Sequence, residues 1–346
     1  MASNYANEKK LKNKEQALAA AKEMPEFVTQ YLIAKANSTA TSSLLSYTYD
    51  IVAFLTWWHD QLPEYKDKPV RSLTAADMAN IEPQDINEYL FTMTSTQAKK
   101  TLARKCTAIA SLFEYMVNYG IIEKNPMEKV ERPRYKKDSR IIKLEKDEIE
   151  LLLNAIEHGC KEMSKQQQKY LKNTKVRDLA IVTLLLTTGI RVSECVGLDI
   201  DDIFLKTHQM QVTRKGDKKQ TLALSDEAID ALTKYLKERE GAKVKDLKDR
   251  RALFLSSQKK RMCEGSVENM VTKYTTALGF GKRITPHKLR KTYGTNLYNE
   301  TRDIYLVASA LGHESVNTTT QHYVASREED LQEVRNLVKL KDDNNE

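Results

Sequence analysis

The sequence predicts a mainly α-helical chain of two domains, with one small antiparallel sheet in the second. Three observations carry this. At 346 residues the chain exceeds what a single hydrophobic core usually organises. Apolar residues recur at helical spacing through most of its length. Strand-like pieces flank a single hairpin signal, Lys215-Gly216-Asp217-Lys218.

Residues 1–20 are rich in lysine and alanine and read as an N-terminal extension, a frayed helix. Residues 21–121 read as an all-helical bundle. An apolar pattern starts at Met24-Pro25 and runs through Tyr31, Leu32 and Ile33. The Ser/Thr-rich run from Asn37 to Ser43 is a turn and helix N-cap region. From Leu44 to Leu62 the residues Leu45, Tyr49, Val52, Phe54, Leu55, Trp58 and Leu62 mark one helix. Thr74 caps a short segment, and Pro83 sits near the first turn of another. Ser95 caps a longer helix, Gln97 to Asn118, which ends at Gly120.

Residues 122–143 change character: Pro126, Pro133 and the run R-P-R-Y-K-K read as an extended basic linker. The second domain is expected over residues 144–326. Glu145 to His158 is an amphipathic helix, and Val176 to Thr188 a buried one ending at Gly189. Gln209–Val212 and Thr221–Leu224 are the hairpin strands, and Ala252–Leu255 is strand-like. Ala228–Arg239 and Ser266–Leu278 are helical. Residues 327–346 form a last helix, Glu328 to Leu340, and a polar tail.

Bulk composition narrows the function. The chain is 40% hydrophobic and 30% charged, as soluble globular proteins are. No apolar run is long enough for a bilayer, and the charged N-terminus has no apolar signal region, so a cytoplasmic protein with no membrane partner is expected. Cys106, Cys160, Cys195 and Cys263 are scattered without a C-x-x-C pair, so neither a zinc knuckle nor a disulfide framework is indicated. The net charge of +8 fits a polyanionic partner, and equally fits lysines kept for solubility.

The chemistry-bearing residues lie in the second half. In T-T-G-I-R-V-S-E, Arg191 starts a helix among apolar neighbours and needs an anionic partner. Glu194, one turn on, can orient it or simply lock two helices with it. Lys215 on the hairpin can swing into a cleft as a proton donor, though Arg214, Lys218 and Lys219 compete for that role. In I-T-P-H-K-L-R-K-T, Thr285 is an N-cap and Pro286 the first helical residue. His287 and Arg290 then share a helix face near an N-terminus that favours anions. His313 follows the C-cap Gly312 in A-L-G-H-E-S, and Tyr323 follows in T-T-Q-H-Y-V. A zinc site of His287, His313 and His322 fails on spacing.

Arg191, Lys215, His287-x-x-Arg290, His313 and Tyr323, in this order, resemble the active-site set of the tyrosine recombinases, the lambda-integrase-like family. The phrases T-G-I-R-V-S-E, T-P-H-K-L-R-K-T and L-G-H-E-S match as well. The match covers roughly residues 145–330, and the helical first domain resembles the family's core-binding domain. The chain is most similar to the Xer-type branch that works as a single recombinase, without an added arm-binding domain. One departure stands in the hairpin. The family often has G-K-G-N-K, where this chain has Arg214-Lys215-Gly216-Asp217-Lys218. His322, before the tyrosine, is assigned no role.

The resemblance implies a C-shaped clamp of the two domains on double-stranded DNA carrying a short inverted repeat. It implies strand cleavage and rejoining through a 3′-phosphotyrosyl intermediate, with no metal, ATP or other cofactor. Arg191, Lys215, His287, Arg290, His313 and the nucleophile Tyr323 would be catalytic, with Glu194 in support. DNA contacts are expected from Lys99, Lys100, Arg104 and Lys105 on one helix and from Ser43 and Tyr47 on another. Arg134 and Lys136 in the linker would add to them. The expected assembly is a homo-tetramer on two sites, joined by the C-terminal helix docking in trans. An accessory cell-division or DNA-translocase protein is a further expected partner. Resolution of chromosome or plasmid dimers on the nucleoid is the role this implies. A mobile-element integrase, an idle DNA-binding protein and a type IB topoisomerase stand as alternatives.

Overall fold

A computed structural model describes residues 4–135, 142–160, 164–214, 217–312 and Thr320. The chain divides into two compact units, Asn4–Lys137 and Asp138–Glu346.

The first unit is helical, as its 3.6-residue apolar pattern requires. It contains α1 (Asn4–Ala21), α2 (Glu26–Lys35), α3 (Thr41–Gln61), α4 (Ala75–Ala79), α5 (Pro83–Thr92) and α6 (Lys99–Asn118). Tyr31, Ile51, Phe54, Leu55, Ile86, Ile109, Leu112 and Phe113 form its core. Phe54 meets Phe113 and Tyr89 edge-on, with ring centroids 6.3 and 5.2 Å apart. Thr74 and Asp77 make a reciprocal capping box that starts α4, and Pro83 opens α5.

Two stretches expected at the margins are part of this core. Residues 1–20 were expected as a frayed extension, but α1 packs along α3 and buries Ala17 and Ala21. Alanines four residues apart make a narrow apolar stripe that lets the helices approach closely, while Lys10, Lys12 and Lys14 are exposed. In the expected linker, Ile122, Met127 and Val130 are buried in the same cluster, so the chain stays on the bundle through Val130. Apolar residues at irregular spacing carry no periodic signal, and only the finished core shows that they are inside.

The second unit is built on α9 (Lys175–Thr188), whose Ala180, Ile181, Val182, Leu184 and Leu185 are all fully buried. A helix apolar on every side must be covered all round. It is covered by α7 (Lys146–His158), by α11 (Asp226–Glu240) and by α13 (Pro286–Thr301). The other helices are α8 (Lys165–Lys172), α10 (Val192–Gly197), α12 (Glu264–Ala277) and α14 (Ile304–Leu311). The sheet is antiparallel in the order β1 (Ile203–Phe204), β2 (Gln209–Thr213), β3 (Lys219–Ala223), with Val212 opposite Gln220 and Thr213 opposite Lys219. The strand-like Ala252–Leu255 makes only single bridges, Asp199 to Ala252 and Leu255 to Arg261.

One buried charge cluster ties α9 to α12. The Asp178 carboxylate accepts from Arg177 Nε at 2.9 Å and Nη2 at 2.6 Å, and from the Tyr274 hydroxyl at 3.0 Å. Arg177 also donates to the Leu255 carbonyl at 3.0 Å. Burial opposes the Arg177 charge, but Asp178 outweighs it and raises the guanidinium pKa. Asp178→Asn leaves that guanidinium buried without its counter-charge. The expected loss is about 3–5 kcal/mol of folding stability, read by urea denaturation. Among the described residues no helix is long and apolar enough to cross a membrane.

Candidate active site

The site is assembled from four chain segments around the C-terminal end of α14. The first is the turn after α9. Gly189 caps α9 in the left-handed conformation, with φ of +60°, and its N–H bonds the Leu185 carbonyl. The turn is tight against α13: a Cβ at position 189 would lie 2.2 Å from Tyr293 Cδ1. Gly189→Ala therefore combines left-handed strain with overpacking. It is expected to cost about 1–3 kcal/mol, seen as a lower melting temperature.

Beyond this turn, Arg191 is the N-cap residue of α10 and Glu194 its third helical residue. The Arg191 backbone N–H donates to Glu194 Oε2 at 2.8 Å, and its Nη1 donates to Oε1 at 2.7 Å. The carboxylate so binds both ends of one arginine and sets its direction. The Arg191 side chain keeps 38% of its surface exposed, whereas Glu194 keeps 4%.

The second segment is β2. Its residues alternate in burial, with Met210 and Val212 inside, and Arg214 continues that side at 8% exposure. Arg214 Nη1 donates to Glu194 Oε2 at 3.0 Å and to the Leu311 carbonyl at 3.1 Å. Its Nη2 donates to the Ala310 carbonyl at 3.0 Å, and its Nε to Gln220 Oε1 at 2.9 Å. Burial pulls the Arg214 pKa down, Glu194 opposes that, and Arg191 adds to it.

The third segment is α13. Pro286 is its first residue, but Thr285 caps it with its backbone carbonyl, since its side chain makes no capping bond. Arg290 is buried, at 4% exposure, and donates to the carbonyls of Gly189 and Leu311. His287, one turn earlier, is exposed. The expected common face thus divides between a surface imidazole and a core guanidinium.

The fourth segment is the end of α14, capped by Gly312 at φ of +61°. Arg191 Nη2 donates to the Gly312 carbonyl at 3.3 Å. Three guanidiniums therefore face one helix C-terminus, where unpaired carbonyls and the helix dipole favour cations. Arg191 and Arg214 both pair with one carboxylate, Glu194, so among the described residues the cluster holds more guanidiniums than carboxylates, a surplus suited to an anion.

Of the residues expected from sequence, Arg191, Glu194 and Arg290 are brought together here. Lys215, His313 and Tyr323 lie outside the described residues. In the sequence, Arg214 is only a competitor of Lys215 for proton donation. Its burial and four partners make it a member of the cluster instead, and the period-two alternation of Met210, Val212 and Arg214 is the signal that points there.

In the helical unit, Lys99, Lys100 and Arg104 on α6 are exposed, as is Ser43 on α3, while Tyr47 is half-buried against the core. Lys105 is a correction. It is 9% exposed and its ammonium donates to Asp50 Oδ1 at 3.2 Å, so it cannot face a duplex. Arg104 pairs with the other oxygen of the same carboxylate and keeps 43% of its side chain exposed. Asp50 is buried on α3, and an acid there requires cations from the facing helix. Arg134 is exposed, and Lys136 lies outside the described residues.

The Phage integrase family model matches residues 143–330. A tyrosine recombinase XerC of Caldanaerobacter subterraneus subsp. tengcongensis is 32% identical over 324 residues, covering 90% of this chain and 85% of that protein. A tyrosine recombinase XerS of Streptococcus agalactiae is 32% identical, over 86% of this chain and 90% of its own. Among solved structures, the XerH recombinase bound to difH in a pre-cleavage complex superposes with a TM-score of 0.64 at 20% identity, over 94% of both chains. A lambda integrase dimer on a core site superposes with a TM-score of 0.62 at 17% identity, over 86% of this chain and 76% of that one. With a family match over more than half its length and Xer relatives along most of it, the chain belongs to the phage integrase family and is a site-specific tyrosine recombinase.

Proposed function

We propose that this recombinase resolves chromosome or plasmid dimers in the Xer manner, by a metal- and ATP-independent strand exchange. The observation that carries the reading is the arginine cluster at the end of α14. It gathers excess positive charge one residue before His313, in the order of residues that the chemistry requires.

In this reading the Tyr323 hydroxyl attacks the scissile phosphorus. The P–O5′ bond breaks as the tyrosyl–phosphorus bond forms, so one phosphodiester replaces another and no external energy is needed. Arg191, whose side chain keeps 38% of its surface exposed, binds a non-bridging oxygen, and Arg290 supports the same charge from below. His313 adds a hydrogen bond to that phosphate. His287 serves as general acid/base. Lys215 protonates the departing 5′-oxygen. Rejoining runs the same steps backwards. Two duplexes require four subunits, and the apolar spacing of Leu331, Val334, Leu337 and Val338 in the helix expected over residues 328–340 fits docking on a neighbour. Lys99, Lys100, Arg104, Ser43 and Arg134 supply phosphate contacts. The protein works in the cytoplasm on the nucleoid, beside a cell-division or DNA-translocase partner that supplies timing.

The test uses a supercoiled plasmid carrying two directly repeated copies of an inverted repeat selected by binding. In EDTA and without ATP, the purified protein is expected to convert it into two smaller circles. Relaxation without resolution would favour a topoisomerase, and a requirement for magnesium or ATP would overturn the mechanism. Integration of a circle without resolution of repeats would favour a mobile-element role.

A further inference from the structure

We infer that Arg214 is a positioning residue of the recombination site: it aims Arg191 and anchors the end of α14 through one buried guanidinium. The inference rests on the reading of Arg191 as a phosphate ligand.

Glu194 Oε2 is held by two donors, the Arg191 backbone N–H at 2.8 Å and Arg214 Nη1 at 3.0 Å. With that oxygen pinned, Oε1 can point only where Arg191 Nη1 meets it. Removing Arg214 frees the carboxylate to rotate, and Arg191 with it.

The same guanidinium also holds the end of α14. It donates to the carbonyls of Ala310 and Leu311. Gln220, bonded to Arg214 Nε, reaches the Ser309 carbonyl with its own amide at 3.4 Å. Gly312 packs directly on the guanidinium, for a Cβ there would lie 2.8 Å from Arg214 Cζ. The hairpin strand, the start of α10 and the end of α14 therefore meet on one side chain. At 8% exposure Arg214 is too enclosed to hold DNA itself. A planar fork with five donors suits this task, and a lysine, with one ammonium, can serve only part of it.

The test compares wild type with Arg214→Gln and Arg214→Lys in full-length protein. A nicked suicide duplex carrying the selected site serves for both DNA binding and single-turnover adduct formation. Arg214→Gln is expected to bind with unchanged Kd but to form adduct about 10²-fold more slowly, with Arg214→Lys falling between. In a double-mutant cycle, Glu194→Gln is expected to add little to Arg214→Gln, because both release Arg191. Thermal melts show whether each variant is folded. If Arg214→Gln is unfolded, Arg214→Lys and Glu194→Gln carry the comparison. Wild-type adduct rates in folded Arg214 variants would overturn the inference, as would fully additive effects of the two substitutions. If wild type itself forms no adduct, the recombination chemistry fails instead, and the two failures are distinct.

Discussion

Phenylalanine at position 323 is expected to leave site binding intact and to abolish the covalent protein–DNA adduct. The substitution removes one oxygen and keeps the ring, so packing and charge at the site are preserved. A tyrosine with an ordinary pKa near 10 is ionised in only about one molecule in 10³ at neutral pH, so in the proposed mechanism attack depends on a phosphate clamped and partly neutralised by the arginines. Losing the proposed nucleophile is expected to lower cleavage by at least about 10⁴-fold. A suicide duplex with a nick near the scissile phosphate traps the adduct, which migrates as a retarded band in denaturing gels. A covalent band of wild-type intensity in Tyr323→Phe would show that another residue attacks.

Alanine at 191 and alanine at 290 are expected to lower cleavage by about 10²–10³-fold each, as the loss of one charge-stabilising donor does. The structure separates the two otherwise. Arg191 keeps more than a third of its side chain in solvent, and Arg214 remains to pair Glu194 when it is gone. Arg191→Ala should therefore melt close to wild type. Arg290 is enclosed and bonds the carbonyls of Gly189 and Leu311; truncation takes this donor from Gly189, while Leu311 keeps the one from Arg214. Arg290→Ala should lose stability as well, by about 1–3 kcal/mol. Lysine is not expected to rescue either position, since it cannot offer parallel donors to a phosphate. Melting temperature and single-turnover cleavage, measured together, check both halves. An Arg191→Ala protein that cleaves at the wild-type rate would remove that arginine from the reaction.

Much of the architecture was readable in the chain. Most helices follow from apolar spacing, though not the polar α8, which buries only Leu171, and α9 ends where Gly189 can adopt positive φ. The hairpin follows from its turn and its alternating strands. Arg191, Glu194 and Arg290 were legible because local phrases carry them: an arginine after a helix-ending glycine, and an arginine one turn past a threonine–proline start. Less local features were not legible. The packing of Ala17 and Ala21 depends on α3, and the burial of Ile122, Met127 and Val130 depends on a core already formed. Lys105 looked like one more cation on a basic face until Asp50 was found opposite it. Arg214 looked like a hairpin surface residue until the strand turned it inward.

The sequence alone thus set most of the helical elements, the family resemblance and the order of the proposed catalytic residues, because those depend on neighbours within a turn or two. Which cations are spent on the protein's own carboxylates and carbonyls was decided only in three dimensions. A guanidinium has the same charge in every context, and only its neighbours determine whether that charge is paired. Arg214 lies about a hundred residues from the Leu311 carbonyl that it holds, and no local pattern spans that separation.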